Sequence, residues 1–320
     1  MKKKIGIILA VVMIFGLLTG CQEKNTETDS EGKLSVVTTI FPEYDFARQV
    51  AGDNADITLL LKPGAESHSY EPSPADIVKI QTCDVFIYVG GENDVWVDDI
   101  LEGIENKDMQ VIRLLDCVDV VEEETLEGME AEEEEASSEG EEAEVEYDEH
   151  VWTSPVNAMK IVDSISSTFQ EVDPEHGDEY KTNGENYNNK IAAIDKQLRD
   201  VVENGNRKEL IFGDRFPFRY FADEYGLECY AAFPGCSEDT EASASTIAFL
   251  IDKVKEDKVP VVLTIELSNK KIAQTIGEDT GAKVLELHSC HNVSKEDFEN
   301  GLTYVDFMER NVDVLEEALK

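Results

Sequence analysis

Tyr187-Asn-Asn-Lys-Ile-Ala-Ala-Ile-Asp-Lys-Gln-Leu-Arg-Asp-Val201 sets Tyr187, Ile191, Ile194, Leu198 and Val201 at alternating intervals of four and three. That interval follows the turn of an α-helix, so the stretch predicts a helix with one buried face. If it runs unbroken from Pro174 to Asn204, it spans roughly 45 Å at about 1.5 Å per residue. A helix of that length can run the whole height of a two-lobed protein.

On its N-terminal side, short β-branched runs alternate with helical segments. Leu34–Ile40, Ile57–Leu61, Val85–Val89 and Val111–Leu115 read as strands. Pro42–Val50, Ser73–Thr82 and Val95–Ile104 read as helices, with Ser73 as N-cap and Pro74 in the first helical position. Asn157–Gln170 is a further helix before the long one. On its C-terminal side the alternation resumes: strands at Leu210–Phe212, Glu228–Ala232, Val261–Ile265 and Lys283–Leu287, and helices at Pro217–Tyr225, Ala244–Lys255, Ser268–Thr280 and Glu296–Leu319. Strands alternating with helices specify mostly parallel sheets. The expected fold is therefore α/β: two small lobes joined by one long backbone helix, with a cleft between them. The expected boundaries are an N-terminal lobe over 34–157, a helical linker over 158–205 and a C-terminal lobe over 206–320. Ligands of open α/β sheets bind beyond the carboxyl ends of the strands.

Charge and termini narrow the function. The chain has 28 basic and 70 acidic residues and a net charge of −42. Nucleic acid is excluded as a partner, because binding it needs basic surface. Lys2–Lys4 followed by the apolar run Ile5–Leu18 reads as an export signal over 1–20. Leu18-Thr-Gly-Cys21 resembles the lipobox of bacterial lipoproteins, which makes Cys21 the lipid-bearing mature N-terminus and 21–33 a polar tether. Loss of the three signal lysines takes the charge from −42 to −45. The stretch 119–149 is about half acidic and contains no Lys or Arg; it reads as a solvated, unstructured insert. Cys83, Cys117, Cys229, Cys236 and Cys290 remain, an odd number without a CxxC pair. An exported chain permits a disulfide, and Cys236 with Cys290, both in loops at the expected cleft edge, form the candidate pair.

Five histidines occur. His68 follows the second strand, His150 closes the acidic insert, and His291 follows the last strand, so all three fall on edges facing one cleft. Neutral imidazoles suit zinc, with three or four N/O ligands in a tetrahedral shell. With no HExxH motif and no closely spaced cysteines, the site has to be assembled from distant segments. His176, beside Glu175 and Asp178, reads as a surface residue. His288, at a strand end three residues before His291, points elsewhere.

These segments resemble the metal-binding lipoproteins of ABC importers for zinc and manganese. Gly64–Asp76 resembles the family segment G…PHxYEPSPxD, which implies His68 as a ligand, although Ser67 replaces the usual Pro. Glu149-His-Val-Trp152 with Pro155 and Asn157 resembles DPHVWLDPxNA, which implies His150. The acidic or His ligand after the last strand falls at His291. The third family ligand falls at Arg215, in Asp214-Arg-Phe-Pro-Phe-Arg-Tyr-Phe, and a guanidinium is an unsuitable ligand. The neighbouring Asp214 is the expected replacement, with Arg215 turned away to an acid such as Glu266; Glu266 itself or water are the alternatives. The resemblance implies capture of a divalent ion without turnover, zinc rather than manganese as cargo, and delivery to an ABC permease and its ATPase. It implies a monomer held by lipid at the outer face of the bacterial cytoplasmic membrane. An exported zinc metalloenzyme, or a metal-independent binder of a small organic ligand, are the competing readings.

Overall fold

The computed structural model describes residues 32–65, 70–129, 146–237 and 241–320. The expected signal, Cys21 and His68 lie outside these residues. The first sheet contains β1 (Leu34–Thr38), β2 (Ala55–Leu59), β3 (Val85–Tyr88) and β4 (Gln110–Arg113) in the order β2-β1-β3-β4, all neighbours parallel. The second contains β5 (Glu209–Phe216), β6 (Glu228–Pro234), β7 (Val261–Thr264) and β8 (Lys283–Glu286) in the matching order β6-β5-β7-β8, again parallel. The two-lobed parallel α/β reading is therefore correct. Helices α1 (Phe41–Ala51), α2 (Pro74–Thr82) and α3 (Val95–Glu102) belong to the first sheet's half. Helices α4 (Pro155–Val172) and α5 (Gly177–Asn204) lead to the second, which carries α6 (Arg219–Tyr225), α7 (Ala244–Asp257), α8 (Lys271–Thr280), α9 (Lys295–Glu299) and α10 (Tyr304–Ala318). Among the described residues no helix is long and apolar enough to cross a membrane.

Local chemistry sets the ends of these elements. At α2 the Ser73 hydroxyl accepts from Asp76 N at 3.3 Å and the Asp76 carboxylate accepts from Ser73 N at 3.2 Å, a reciprocal cap. The long helix starts at Gly177 rather than Pro174, because the Asp173 carboxylate turns back onto His176 Nδ1 and the Tyr180 hydroxyl, each at 2.7 Å. His176 is thus spent on a turn at the helix start. The expected closing helix over Glu296–Leu319 is two helices, since Ser294 caps α9 and Thr303, with Asp306, caps α10.

The buried stripe of α5 is Tyr180, Gly184, Tyr187, Ile191, Ile194, Leu198 and Val202; the last step is four residues, so Val202 replaces the expected Val201. It packs on α1, α4 and α10, and each fully buried Ile or Leu contributes about 1.5–3 kcal/mol. One carboxylate ties three of these helices. Asp45 of α1, with no exposed surface, accepts from the Tyr187 hydroxyl of α5 at 2.5 Å and from Tyr304 N, the first residue of α10, at 2.8 Å. Arg48 bonds the same carboxylate at 2.7 Å and donates to Leu302 O at 2.5 Å. The anion at the N-terminus of α10 is also favoured by the helix dipole.

The insert departs from the expectation at its flanks. Glu122 bridges Tyr147 in antiparallel fashion, Asp148 N donates to Val121 O at 3.0 Å, and Val120, Val121, Leu126 and Met129 pack on the core. Those apolar side chains are what an acidic count overlooks. Residues 130–145 lie outside the described ones.

Candidate metal centre

Two expected ligands come together. The rings of His150 and His291 stand edge to face with centroids 5.3 Å apart. Two imidazoles on one tetrahedral zinc, with Zn–N of about 2.0–2.1 Å, place their centroids roughly 5 Å apart. Both line a cavity of about 180 Å³ together with Arg215, Glu266, Ser289 and Asn292. His68 lies outside the described residues, but Gly64 and Ala65, just before it, line the same cavity. Among the described residues, no three His, Cys, Asp or Glu side chains are gathered as a shell for an ion.

His150 is fully buried, where the returning end of the insert meets the core. Its Nδ1 lies 3.2 Å from Asp148 Oδ1, and its backbone N donates to the same oxygen at 2.8 Å. A proton held on Nδ1 by that carboxylate leaves Nε2 as the lone-pair atom, as in metal-binding histidines that give their other ring N–H to a carboxylate. Burial pulls its pKa down, but Asp148, with Glu149 and Glu123, outweighs burial and the pKa is raised. Asp148 is in turn anchored by the Tyr220 hydroxyl, which donates to its carbonyl at 2.8 Å. Gly235, after β6, is the close approach: a Cβ there would lie 2.9 Å from His150 Cε1 and 3.1 Å from Phe216 O.

His291 sits on a short loop after β8 that Glu266 holds in shape. Glu266 Oε1 accepts from the Ser289 hydroxyl at 2.6 Å and from His291 N at 3.0 Å; Oε2 accepts from Ser289 N at 2.7 Å. The loop passes through a left-handed residue, Cys290, at φ 63°. That conformation is uncommon for a non-glycine residue. The Trp152 indole donates to Ser289 O at 2.8 Å and stands edge-on to His291 at 5.3 Å. Asn292 Nδ2 donates to Lys62 O at 3.2 Å and Ala65 O at 2.7 Å, joining the His291 loop to the segment that leads into His68. His288 points elsewhere, as expected: it stacks on Phe307 with ring centroids 4.0 Å apart, and its Nδ1 accepts from Cys290 N at 3.0 Å.

Asp214 is not brought to the imidazoles. Its carboxylate accepts from Arg215 N at 3.0 Å and Ile265 N at 3.4 Å, and Ser268 also bonds it. Arg215 is the one of the pair on the cavity wall, with Nη1 donating to Ser237 O at 3.4 Å rather than to Glu266. The cause is a shift of register between Phe212 and Arg215, where β5 pairs with β6. A bulge re-aims the side chains beyond it. Gly213 is required there, since a Cβ would lie 2.5 Å from Ala273 Cα. Burial raises the Asp214 pKa, with Ser268 and the Arg215 backbone working against it.

The expected Cys236–Cys290 bridge is not formed. Cys290 keeps a fully buried thiol whose pKa burial pushes well up, a poor source of thiolate for zinc. Behind His291, a second, smaller cavity is lined by Asp94 and Glu149. Asp94 accepts from Val89 N and Gly90 N at 2.9 and 3.0 Å, and burial raises its pKa to about 6. Glu43, fully buried, has its pKa raised by burial and then by Asp94. Sequence reasoning missed Asp148, Gly235, Ser289 and Asn292. Of these only Asp148, two residues before a candidate ligand, carried a signal.

Comparison with known proteins agrees with this architecture. The high-affinity zinc uptake system protein ZnuA of Bacillus subtilis (strain 168) is 34% identical over 322 residues, covering 100% of this chain and 99% of that protein. The zinc-binding lipoprotein AdcA of Streptococcus pneumoniae serotype 4 is 32% identical over 316 residues; the match covers 99% of this chain but only 61% of AdcA. The crystal structure of the Zn(II)-bound ZnuA-like domain of Streptococcus pneumoniae AdcA superposes with a TM-score of 0.74 at 30% identity, covering 90% of this chain and 99% of that one. The profile of the ZnuA family, zinc-uptake complex component A, periplasmic, matches residues 36–318, and the chain belongs to that family.

Proposed function

We propose that the protein captures zinc outside the cytoplasmic membrane and hands it to an ABC-type permease, without turnover. The ligands are His68, His150 and His291, and Cys21 carries the lipid that keeps the monomeric protein at the membrane. The observation that carries this reading is the pair of imidazoles 5.3 Å apart on one cavity wall, in a chain of the zinc-uptake family. His150 has a carboxylate behind it, and the backbone of His291 is held by Glu266. Three neutral imidazoles favour zinc over manganese, which suits carboxylate and water ligands better. Glu266 has its two oxygens engaged by Ser289 and His291, which argues for a loop support and against a general base. The test is metal content after purification without chelator, followed by zinc and manganese titration of the stripped protein. One equivalent of zinc, displaced poorly by manganese, is expected. A protein that binds neither metal, or that binds manganese more tightly, defeats the reading.

A further inference from the structure

We infer that Tyr220 is a positioning residue of the metal centre: its hydroxyl ties both flanks of the acidic insert to the C-terminal half and so holds Asp148 where its carboxylate orients the His150 ring. The inference rests on the zinc-capture reading and names the residue through which one ligand is aimed.

The flanks of the insert hold each other weakly. Their pairing is an isolated antiparallel bridge of Glu122 with Tyr147. Two backbone bonds adjoin it, Asp148 N to Val121 O and Glu123 N to Glu146 O, each at 3.0 Å. A two-stranded pair of that size is marginal by itself in water. The C-terminal half supplies support from outside. Tyr220, the second residue of α6, accepts from Val121 N at 3.2 Å and donates to Asp148 O at 2.8 Å. Arg219 pairs with Glu124 at 3.2 Å. Phe249 of α7 lies so close to Gly128 that a Cβ there would stand 2.2 Å from its ring. Of these three side chains, Tyr220 is the one bonded to both flanks.

Its grip on Asp148 reaches the ligand. Beyond Asp148 the chain is held by other groups: the Glu149 carboxylate accepts from Asn93 N at 3.0 Å and Asn93 Nδ2 at 2.8 Å, and His150 O accepts from the Thr153 hydroxyl at 2.7 Å. At Asp148 the backbone is bonded to Val121 and Tyr220, while the carboxylate reaches His150 N at 2.8 Å and Nδ1 at 3.2 Å. The aim of the ring therefore follows the placing of Asp148, and that placing follows the Tyr220 hydroxyl. Tyr220 is buried, and burial pushes its phenol up to about 12, so the hydroxyl keeps the proton that it donates. A buried tyrosine hydroxyl usually finds some partner; here both bonds fall on the two strands that carry the orienting carboxylate. Tyr225, equally buried on the same helix, is the contrast, since its hydroxyl donates to Asp195 of the long helix at 3.0 Å instead. Removing the Tyr220 oxygen leaves Val121 N and Asp148 O without that partner, and such groups shift to find another.

The experiment is a zinc titration of the metal-stripped full chain against a chromophoric chelator at one pH. The variants are Tyr220→Phe, Asp148→Ala, the double variant and Tyr225→Phe. Cobalt(II) replaces zinc in a parallel visible-spectrum measurement. Tyr220→Phe keeps the ring that fills the core and removes one oxygen. It should weaken zinc at least about tenfold, as when a group that orients a metal ligand is lost, and should shift the cobalt band. Because Tyr220 acts through Asp148, the double variant should bind within about threefold of the weaker single variant. Tyr225→Phe should lower the melting temperature of the metal-free protein and leave both zinc affinity and the cobalt band in place. Wild-type zinc affinity in Tyr220→Phe, whatever its melting, overturns the inference and leaves zinc capture standing. Losses that multiply in the double variant overturn the route through Asp148. An equal loss of affinity in Tyr225→Phe assigns the effect to general loosening and overturns the positioning role. Absence of zinc binding by the wild type overturns the capture reading and this inference with it.

Discussion

His150 and His291 are separated by 141 residues in the chain, and their rings meet edge to face 5.3 Å apart. Each is held from behind by a different carboxylate, Asp148 through the ring and Glu266 through the backbone. The pair is therefore set before any ion arrives, and its protonation competes with the ion.

Substituting either imidazole should remove high-affinity binding and spare the fold. His150→Ala and His291→Ala are expected to weaken zinc binding by more than about a hundredfold, roughly 2.7 kcal/mol. The melting temperature of the metal-free protein should move little for His291→Ala, which is partly exposed. For the wild type, the raised pKa of His150 sets the pH response. Zinc must displace the imidazole proton, so affinity is full above that pKa and falls by about tenfold per pH unit below it. An affinity that stays flat from about pH 8 to pH 5.5 excludes His150 as a ligand.

Asp214→Asn separates a ligand from a support. With its carboxylate on Arg215 N, Ile265 N and Ser268, the substitution should cost the metal-free protein about 1–2 kcal/mol through weakened buried hydrogen bonds. Zinc affinity should change less than about threefold. A tenfold loss of affinity with unchanged melting returns Asp214 to the coordination shell.

Gly235→Ala tests the packing behind the site. The added Cβ would lie 2.9 Å from His150 Cε1 and 3.1 Å from Phe216 O, so the imidazole has to move. A displaced ligand should weaken zinc about tenfold, as when a group that orients a metal ligand is removed, and a crystal structure of the variant should show the ring rotated. Unchanged affinity means that the ring has room on its far side.

The buried acids make stability fall as pH rises. Asp94 has its pKa raised from 3.8 to about 6. The folded state holds its proton more tightly than the unfolded chain, so its contribution is largest below about pH 3.8. That contribution is lost progressively up to about pH 6. Asp94→Asn removes the charge and should therefore gain stability above about pH 6, by at most about 3 kcal/mol, with the gain shrinking towards pH 4. Denaturant unfolding of both proteins at each pH measures it; a difference that is constant with pH, or reversed in sign, rejects the assignment.

Much of the fold was readable because it depends on local rules. Alternating strand and helix patterns specified two parallel sheets, the stripe from Tyr187 to Leu198 specified the long helix, and Ser73 with Asp76 specified the start of α2. The same local reading overextended that long helix to Pro174, because Pro suits a first helical turn. It also joined α9 to α10, although Thr303 and Asp306 spelled a second cap. The candidate imidazoles were legible from their places after strands and at the end of the insert. The roles of Asp214 and Arg215 were not. They depend on a bulge fixed by the pairing of β5 with β6 and by Ala273 pressing on Gly213, contacts that no spacing rule encodes. Gly235 against His150 is equally nonlocal.

The carboxylate of Asp45 has a consequence for how cargo comes and goes. It is bound at once by the middle of the long helix and by the first residue of α10, and swinging one sheet away from the other would strand a buried anion. Truncating such an anchor costs several kcal/mol, and a rotation that parts these elements is opposed by about that amount. The loop that carries His291 is tied more lightly, by two amide bonds from Asn292 to Lys62 O and Ala65 O. Small-angle scattering should accordingly give one radius of gyration for loaded and empty protein, and a radius that grows on removal of zinc rejects Asp45 as the anchor.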